Sequence, residues 1–250
     1  MRILLTNDDG IKSEGLLVLE DIAKNFSDDI WVVSPETDQS CLANSLTISR
    51  SLSLREVSDK HFALNGTPSD CVIVALHKLC DKKPDLVLSG VNIGTNTANH
   101  LVYSGTLAAA FEGNLQGIRS FALSQAYINQ HAIPWDVAKT HAPNVLRKLI
   151  NANISDATLF NINFPCCTPK NVKGIAVTSQ EKPCFKIEIK EVSTDPFLTQ
   201  YCMDFRDVSE KLCKKSDVFA IKNDMISVTP VKTNFTDHDY KEHVSLLLKS

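Results

Sequence analysis

Short apolar runs alternate with amphipathic segments through the first two-thirds of the chain. Arg2 to Thr6 carries Ile-Leu-Leu without a polar break, the mark of a strand buried on both faces. Glu14 to Phe26 places Leu16, Leu17, Leu19, Ile22 and Ala23 at helical spacing and predicts that these five point inward. Ile30 to Val33 is the next strand. Thr67-Pro68 opens a helix predicted to run to Leu79, because proline is preorganised for a first helical turn. Asp85 to Leu88 follows as a strand, Ser104 to Leu115 as an alanine-rich helix and Arg119 to Leu123 as another strand. Val137 to Ile150 is helical in pattern, with Pro143 expected to break or kink it, and Leu159 to Asn163 supplies a further strand.

Strands alternating with helices define an α/β fold, a Rossmann-like, doubly wound and mainly parallel sheet with ligands beyond the strands' carboxyl ends. The pattern changes after about Pro165. Phe185 to Val192 alternates apolar and charged residues, as a half-exposed hairpin strand does. Such a strand suits oligomerisation, and it equally suits a hairpin lying on its own domain. Ile226 to Pro230 reads as a late strand, and Val244, Leu246, Leu247 and Leu248 mark a short C-terminal helix. The expected organisation is one domain over 1–250, with a core to residue 165 and a hairpin, returning strand and helix in 166–250.

With 250 residues and 43% apolar content, the chain can bury a sizeable core. A formal charge of -3 gives no general attraction for nucleic-acid polymers or anionic membranes, so any phosphate recognition is local. The opening MRILLTNDDG meets two carboxylates too soon for a signal peptide or anchor. Eight cysteines without a CxxC pair then suggest reduced thiols and a cytoplasmic setting.

Chemistry-bearing residues gather at the ends of the expected strands. Asp8 and Asp9 follow the first strand directly, and adjacent carboxylates are costly unless something neutralises them; a hard divalent cation does so with oxygen ligands. Capping of the next helix, or a turn with Gly10, remains an open alternative for this pair alone. Ser89 to Asn96 reads as a glycine-bearing loop after the next strand, in which Asn92 offers a neutral oxygen. It is neither a Walker loop nor GxGxxG. Ser104, Gly105 and Thr106 stand where a helix begins, and such an end binds anions as readily as it accepts ordinary capping. Ser40, in the polar loop after the second strand, carries no weight alone. Asn65 to Asp70 reads first as a turn and capped helix. None of the seven histidines forms a metal-binding pair, and His100 is of interest because it lies between the Asn92 loop and the Ser104 helix.

Several motifs in order resemble the SurE family of survival proteins, 5'(3')-nucleotidases: LLTNDDGI, VVSPETDQS with NSLT, NGTPSDCV, PDLVLSGVNIGTN and YSGTLAAAFEG. The C-terminal runs Ser216 to Ile221 and Ile226 to Pro230 are similar to the family's as well. The resemblance implies hydrolysis of nucleoside 5'- and 3'-monophosphates, and in some members short polyphosphate. It implies one divalent ion per subunit, Mg²⁺ or Mn²⁺, on Asp8, Asp9, Ser40 and Asn92, with Asp8 and Asp9 catalytic. Asn92, Ser104, Gly105 and Thr106 would meet the substrate phosphate, and the oligomer would be a dimer or tetramer. Two stretches depart from the family pattern. Ala98-Asn99-His100 stands where Gly-Asp-Asp is common, and an arginine- and glycine-rich stretch after Asp195-Pro196 is missing. Two rival readings are a nucleotide-binding sensor without turnover, and a structural oligomer whose acidic pair only caps a helix.

Overall fold

The structure, a computed structural model, describes residues 1–129, 131–155, 158–195, 197–208 and 211–249. Its elements in chain order are β1 (Arg2–Thr6), α1 (Glu14–Ala23), β2 (Asp29–Pro35), β3 (Leu54–Ser58), β4 (His61–Leu64), α2 (Pro68–Val74), β5 (Leu86–Ile93), α3 (Gly105–Leu115), β6 (Arg119–Gln125) and α4 (Trp135–Ile150). Then follow β7 (Thr158–Phe164), β8 (Ile175–Val177), β9 (Phe185–Asp195), β10 (Leu198–Asp207), α5 (Asp217–Lys222), β11 (Ile226–Lys232) and α6 (His238–Leu247).

Nine strands form one sheet in the order β3-β4-β2-β1-β5-β6-β7-β11-β8. The pairings from β4 through β7 are parallel, while β3 and β11 run antiparallel to β4 and β7. Both faces of β1 are buried, as its unbroken apolar run requires. Ile3 and Leu5 join α1 and α4 on one face, and Leu4 joins α2 and α3 on the other. The winding reverses between β1 and β5, because β2 lies on one side of β1 and β5 on the other. A crevice opens at the carboxyl ends of strands where the order reverses in this way.

Several expectations shift in detail. Helix α1 ends at Ala23, and Leu17 is 60% exposed whereas Val18 is 2% exposed. The buried stripe runs through Gly15, Leu16, Val18, Leu19, Ile22 and Ala23, and Leu17 falls outside that arc. Pro143 sits within a continuous α4, so it ends nothing. The segment Thr67 to Leu79 is α2 followed by a wider turn, closed by Cys80 N to Ala75 O at 2.9 Å. The stretch after Leu88 is a continuation of β5 instead of a loop. Its pairing with β6 breaks after Ser89 and resumes at Asn92, as a β-bulge does. Gly90 permits the bulge, since its φ is +132° and a Cβ there would lie 2.2 Å from Leu123 O.

Beyond residue 165, β8 and β11 complete the main sheet, while β9 and β10 pair only with each other. Ile187, Ile189, Val192, Tyr201 and Met203 are exposed, so most of this hairpin does not lie on its own domain. Helix α6 likewise buries none of its side chains.

Candidate active site

Asp8 and Asp9 leave β1 at the switch point, and the neighbouring chain fixes their backbone. Asn7 is fully buried and ties the turn together through Nδ2, which donates to Gly10 O (3.0 Å) and Ser13 Oγ (2.6 Å), while Ser34 Oγ donates to its Oδ1. Gln39 N donates to Asp8 O at 2.8 Å, which draws the loop after β2 against the pair. Capping of α1 falls to Ser13, whose hydroxyl accepts from Leu16 N at 3.2 Å, so neither aspartate is needed as a cap.

The Asp8 carboxylate is buried and meets the start of α3. Thr106 Oγ1 donates to Asp8 Oδ1 at 2.7 Å, and the Thr106 backbone adds a second bond. Gly105 allows this approach: a Cβ there would fall 2.8 Å from Asp8 Cβ. Burial nonetheless pushes the Asp8 carboxyl up to about 6, and burial together with the neighbouring Asp8 charge pushes Asp9 up to about 7. Ile93 N donates to Asp9 Oδ2 at 3.4 Å. Among the described residues no ion pair neutralises either carboxylate. Buried Asp8 and half-buried Asp9 are therefore costly to ionise without a counter-charge.

A cavity of about 150 Å³ gathers Asp8, Ser40, Asn92, Asn96 and Ser104. Asp9 borders the adjoining groove with Ser13, Thr37 and Asp38. Ser40 Oγ donates to Asp38 Oδ1 at 2.6 Å and keeps lone pairs to offer. Asn92 Nδ2 donates to Gly94 O at 2.8 Å, which turns the amide nitrogen to the backbone and leaves Oδ1 as the acceptor. The donor set of two carboxylates, one hydroxyl and one amide oxygen suits a hard divalent cation. Among the described residues no group of three His, Cys, Asp or Glu is poised for a metal, so softer zinc-type chemistry has no set of its own.

Ser104 caps α3 by accepting from Leu107 N at 3.0 Å, and its own hydroxyl proton is free to face the cavity it lines. Thr106 is placed differently from a phosphate ligand. Its hydroxyl is fully buried behind Asp8, donating to the carboxylate and accepting from Asn96 Nδ2 at 3.2 Å.

Asn96 is the residue sequence reasoning left without a role. Its Nδ2 also donates to Ser124 Oγ (2.9 Å), its backbone N–H donates to Asn163 Oδ1 (2.8 Å), and its carbonyl accepts from Asn161 (2.7 Å) and Asn163 (3.1 Å). The signal was present in Asn161 and Asn163, polar residues two apart in an otherwise apolar strand. Both side chains are fully buried, and buried amides need partners.

Ala98-Asn99-His100 fastens the hairpin to the site. Ala98 N donates to Asp217 Oδ2 at 2.9 Å; Asn99 Nδ2 donates to Phe185 O at 2.9 Å and its Oδ1 accepts from Phe185 N at 3.2 Å. The His100 ring stacks on Phe185 at 3.8 Å between centroids and meets Phe205 at 4.4 Å. Burial lowers its pKa, and Nε2 is enclosed without a hydrogen-bond partner, so the ring acts as packing. The altered stretch after Pro196 runs into β10, and its Phe197, Leu198 and Tyr201 are exposed.

A doubly wound sheet with an acidic pair at its switch point, one member of which meets a helix N-terminus, defines an α/β protein whose crevice lies at the strands' carboxyl ends. The model of the survival protein SurE family matches residues 3–186. A protein named 5'-nucleotidase SurE from Rhizobium meliloti is 53% identical over 253 aligned residues, covering 100% of this chain and 98% of the relative. Its namesake from Allorhizobium ampelinum is 49% identical, again over 100% of this chain and 98% of the relative. The crystal structure of the SurE protein from Aquifex aeolicus superposes with a TM-score of 0.87 at 31% identity, covering 99% of this chain and 100% of that one. The chain belongs to the SurE family.

Proposed function

We infer that the chain is a phosphomonoesterase of the 5'-nucleotidase class, which hydrolyses nucleoside monophosphates with the help of a divalent cation. The observation that carries this reading is the pair of buried Asp8 and half-buried Asp9, without a neutralising partner among the described residues and beside the N-terminus of α3. The full-length likeness to proteins named 5'-nucleotidase supports the class of substrate.

Asp8, Asp9, Ser40 and Asn92 would hold one Mg²⁺ or Mn²⁺ ion. Such an ion supplies Lewis-acid polarisation of a phosphoryl oxygen and offsets the charge that builds in the transition state. The chain's own groups do the rest. Ser104 Oγ and the first N–H groups of α3 hold the other phosphate oxygens, with the partial positive charge of the helix end behind them. Donors of this kind are each worth ~2.7–4 kcal/mol of barrier when they face transition-state charge. Asp9, the more open carboxylate, would take the proton of the attacking water. Thr106 and Asn96 keep Asp8 in position. The leaving oxygen takes a proton from solvent water, so the nucleoside departs with its hydroxyl restored and the phosphoryl group departs as inorganic phosphate.

Hydrolysis of 3'-monophosphates and of short polyphosphate belongs to the same reading, since the site grips the phosphoryl group first. The exposed apolar residues of the hairpin and α6 support a homodimer or homotetramer. Eight free thiols suit the reducing cytoplasm, and no helix among the described residues is long and apolar enough to cross a membrane. Phosphate release from nucleoside 5'- and 3'-monophosphates with Mg²⁺, Mn²⁺ or EDTA tests the proposal. Release under one of the ions and none under EDTA is expected; no release under any condition would turn the site into that of a binding protein.

A further inference from the structure

The phosphate cavity is too small for a nucleoside, yet it shares a wall with a second cavity of about 650 Å³. Cys41, Ile93, His100 and Phe205 line both. The second cavity continues past Tyr127 and Phe185 to the ion pair of Lys222 Nζ with Asp207 Oδ2, 2.8 Å. Its volume falls within the roughly 300–1,000 Å³ of small-molecule sites, and its lining of apolar and aromatic faces with a few polar groups among them is the usual composition of such sites.

Phe205 is the residue the geometry singles out. It belongs to β10, whose other side chains are exposed, and it alone of that strand reaches both cavities. Its ring is held by His100 at 4.4 Å and by Tyr103 at 5.7 Å between centroids, and His100 is in turn held by Phe185. Asn99, through its bonds to Phe185 N and O, keeps the root of the hairpin against the site. The hairpin therefore supplies an aromatic face at the point where a phosphate ester would pass from one cavity into the other.

We propose that the second cavity seats the base of the nucleotide and that Phe205 is the specificity-determining residue, its ring offering the face on which the base stacks. This rests on the phosphate lying beside Asp8 and Ser104, and it deepens that reading by assigning the hairpin a part in substrate choice. Stacking accepts any base, because every base has a π face. Discrimination is then between substrates with a base and substrates without one.

The test compares a nucleoside 5'-monophosphate with ribose 5-phosphate, which has the same sugar and phosphate and lacks only the base. In the native chain the nucleotide is preferred in kcat/KM. Phe205→Ala and Phe205→Leu lower that preference by roughly tenfold or more, chiefly through KM for the nucleotide, whereas Phe205→Trp keeps it. Leucine retains the bulk of the side chain, so its result separates stacking from collapse of the cluster. Equal loss on both substrates, or an unchanged preference in both the Ala and Leu variants, would overturn the assignment while leaving the phosphatase reading intact. A native chain that releases phosphate from neither substrate under any metal would overturn both.

Discussion

Asp9 lies under two opposed demands, and they make it the most informative single residue. Its folded pKa stands near 7 against a reference value of 3.8, because burial and Asp8 both disfavour the charge. The folded metal-free chain therefore binds more protons than the unfolded chain between about pH 4 and pH 7. Linkage then fixes the sign: this group's contribution is fully present below pH 4 and is lost as pH rises through 7. Asp9→Asn removes the penalty. In EDTA at pH 8 the variant should unfold at higher denaturant than the native chain, by on the order of 1–3 kcal/mol, and with a flatter pH dependence. A less stable variant would show that Asp9 has a neutralising partner after all. Thr106→Val tests the support of the other carboxylate. Loss of its bond to Asp8 leaves the acid harder to ionise, and metal affinity, followed by titration calorimetry, should fall about 10–100-fold with the fold retained.

At the scale of elements, the parallel core was legible because its strands are buried on both faces and its helices have clear apolar stripes. Thr67, Pro68 and Asp70 also read correctly: the Thr67 hydroxyl accepts from Asp70 N, and Asp70 reaches back to Thr67 N at 2.9 Å. What escaped were elements whose partners come from far along the chain. Strand β3 is exposed throughout and exists through its antiparallel pairing with β4, and β8 is three residues long against β11. The bulge in β5 escaped for another reason, since glycine there reads equally as loop or as close backbone approach. Pro143 shows that a rule of local sequence can yield to packing. Helix α4 buries Val137, Ala138, Ala142, Val145 and Leu146 against the sheet, and this holds the helix through a residue that cannot donate. Pro143→Ala should raise stability by about 1–3 kcal/mol in equilibrium unfolding. A loss of stability would mean that the proline's shape is itself part of the packing.

For the whole molecule, the sheet builds the chemistry and the later segments frame it. Of the four proposed metal ligands, Asp8 and Asp9 follow β1, Asn92 lies near the end of β5 and Ser40 in the loop after β2, and resemblance alone suggested them as a set. Asn96 could not be assigned in this way, because its role depends on Asn161 and Asn163 being carried beside it by β7. Nor could Phe205, which is brought to the site by a hairpin whose direction no local pattern encodes. The same hairpin and α6 leave Ile189, Tyr201, Met203, Leu246 and Leu248 exposed. In light scattering the chain should run as a dimer or larger, and a monomer at micromolar concentration would leave these faces without an explanation.

The central claim is that Asp8 and Asp9 stand side by side in order to hold a cation that acts on a phosphomonoester. Phosphate release from a nucleoside 5'-monophosphate, titrated with Mg²⁺ or Mn²⁺ in the native chain and in Asp9→Asn, tests it most directly. The account predicts saturable metal dependence in the native chain and at least about a hundredfold loss of release in a folded variant, on the scale seen when a group stabilising transition-state charge is removed. Equal release from the two proteins, or native release indifferent to EDTA, would contradict it.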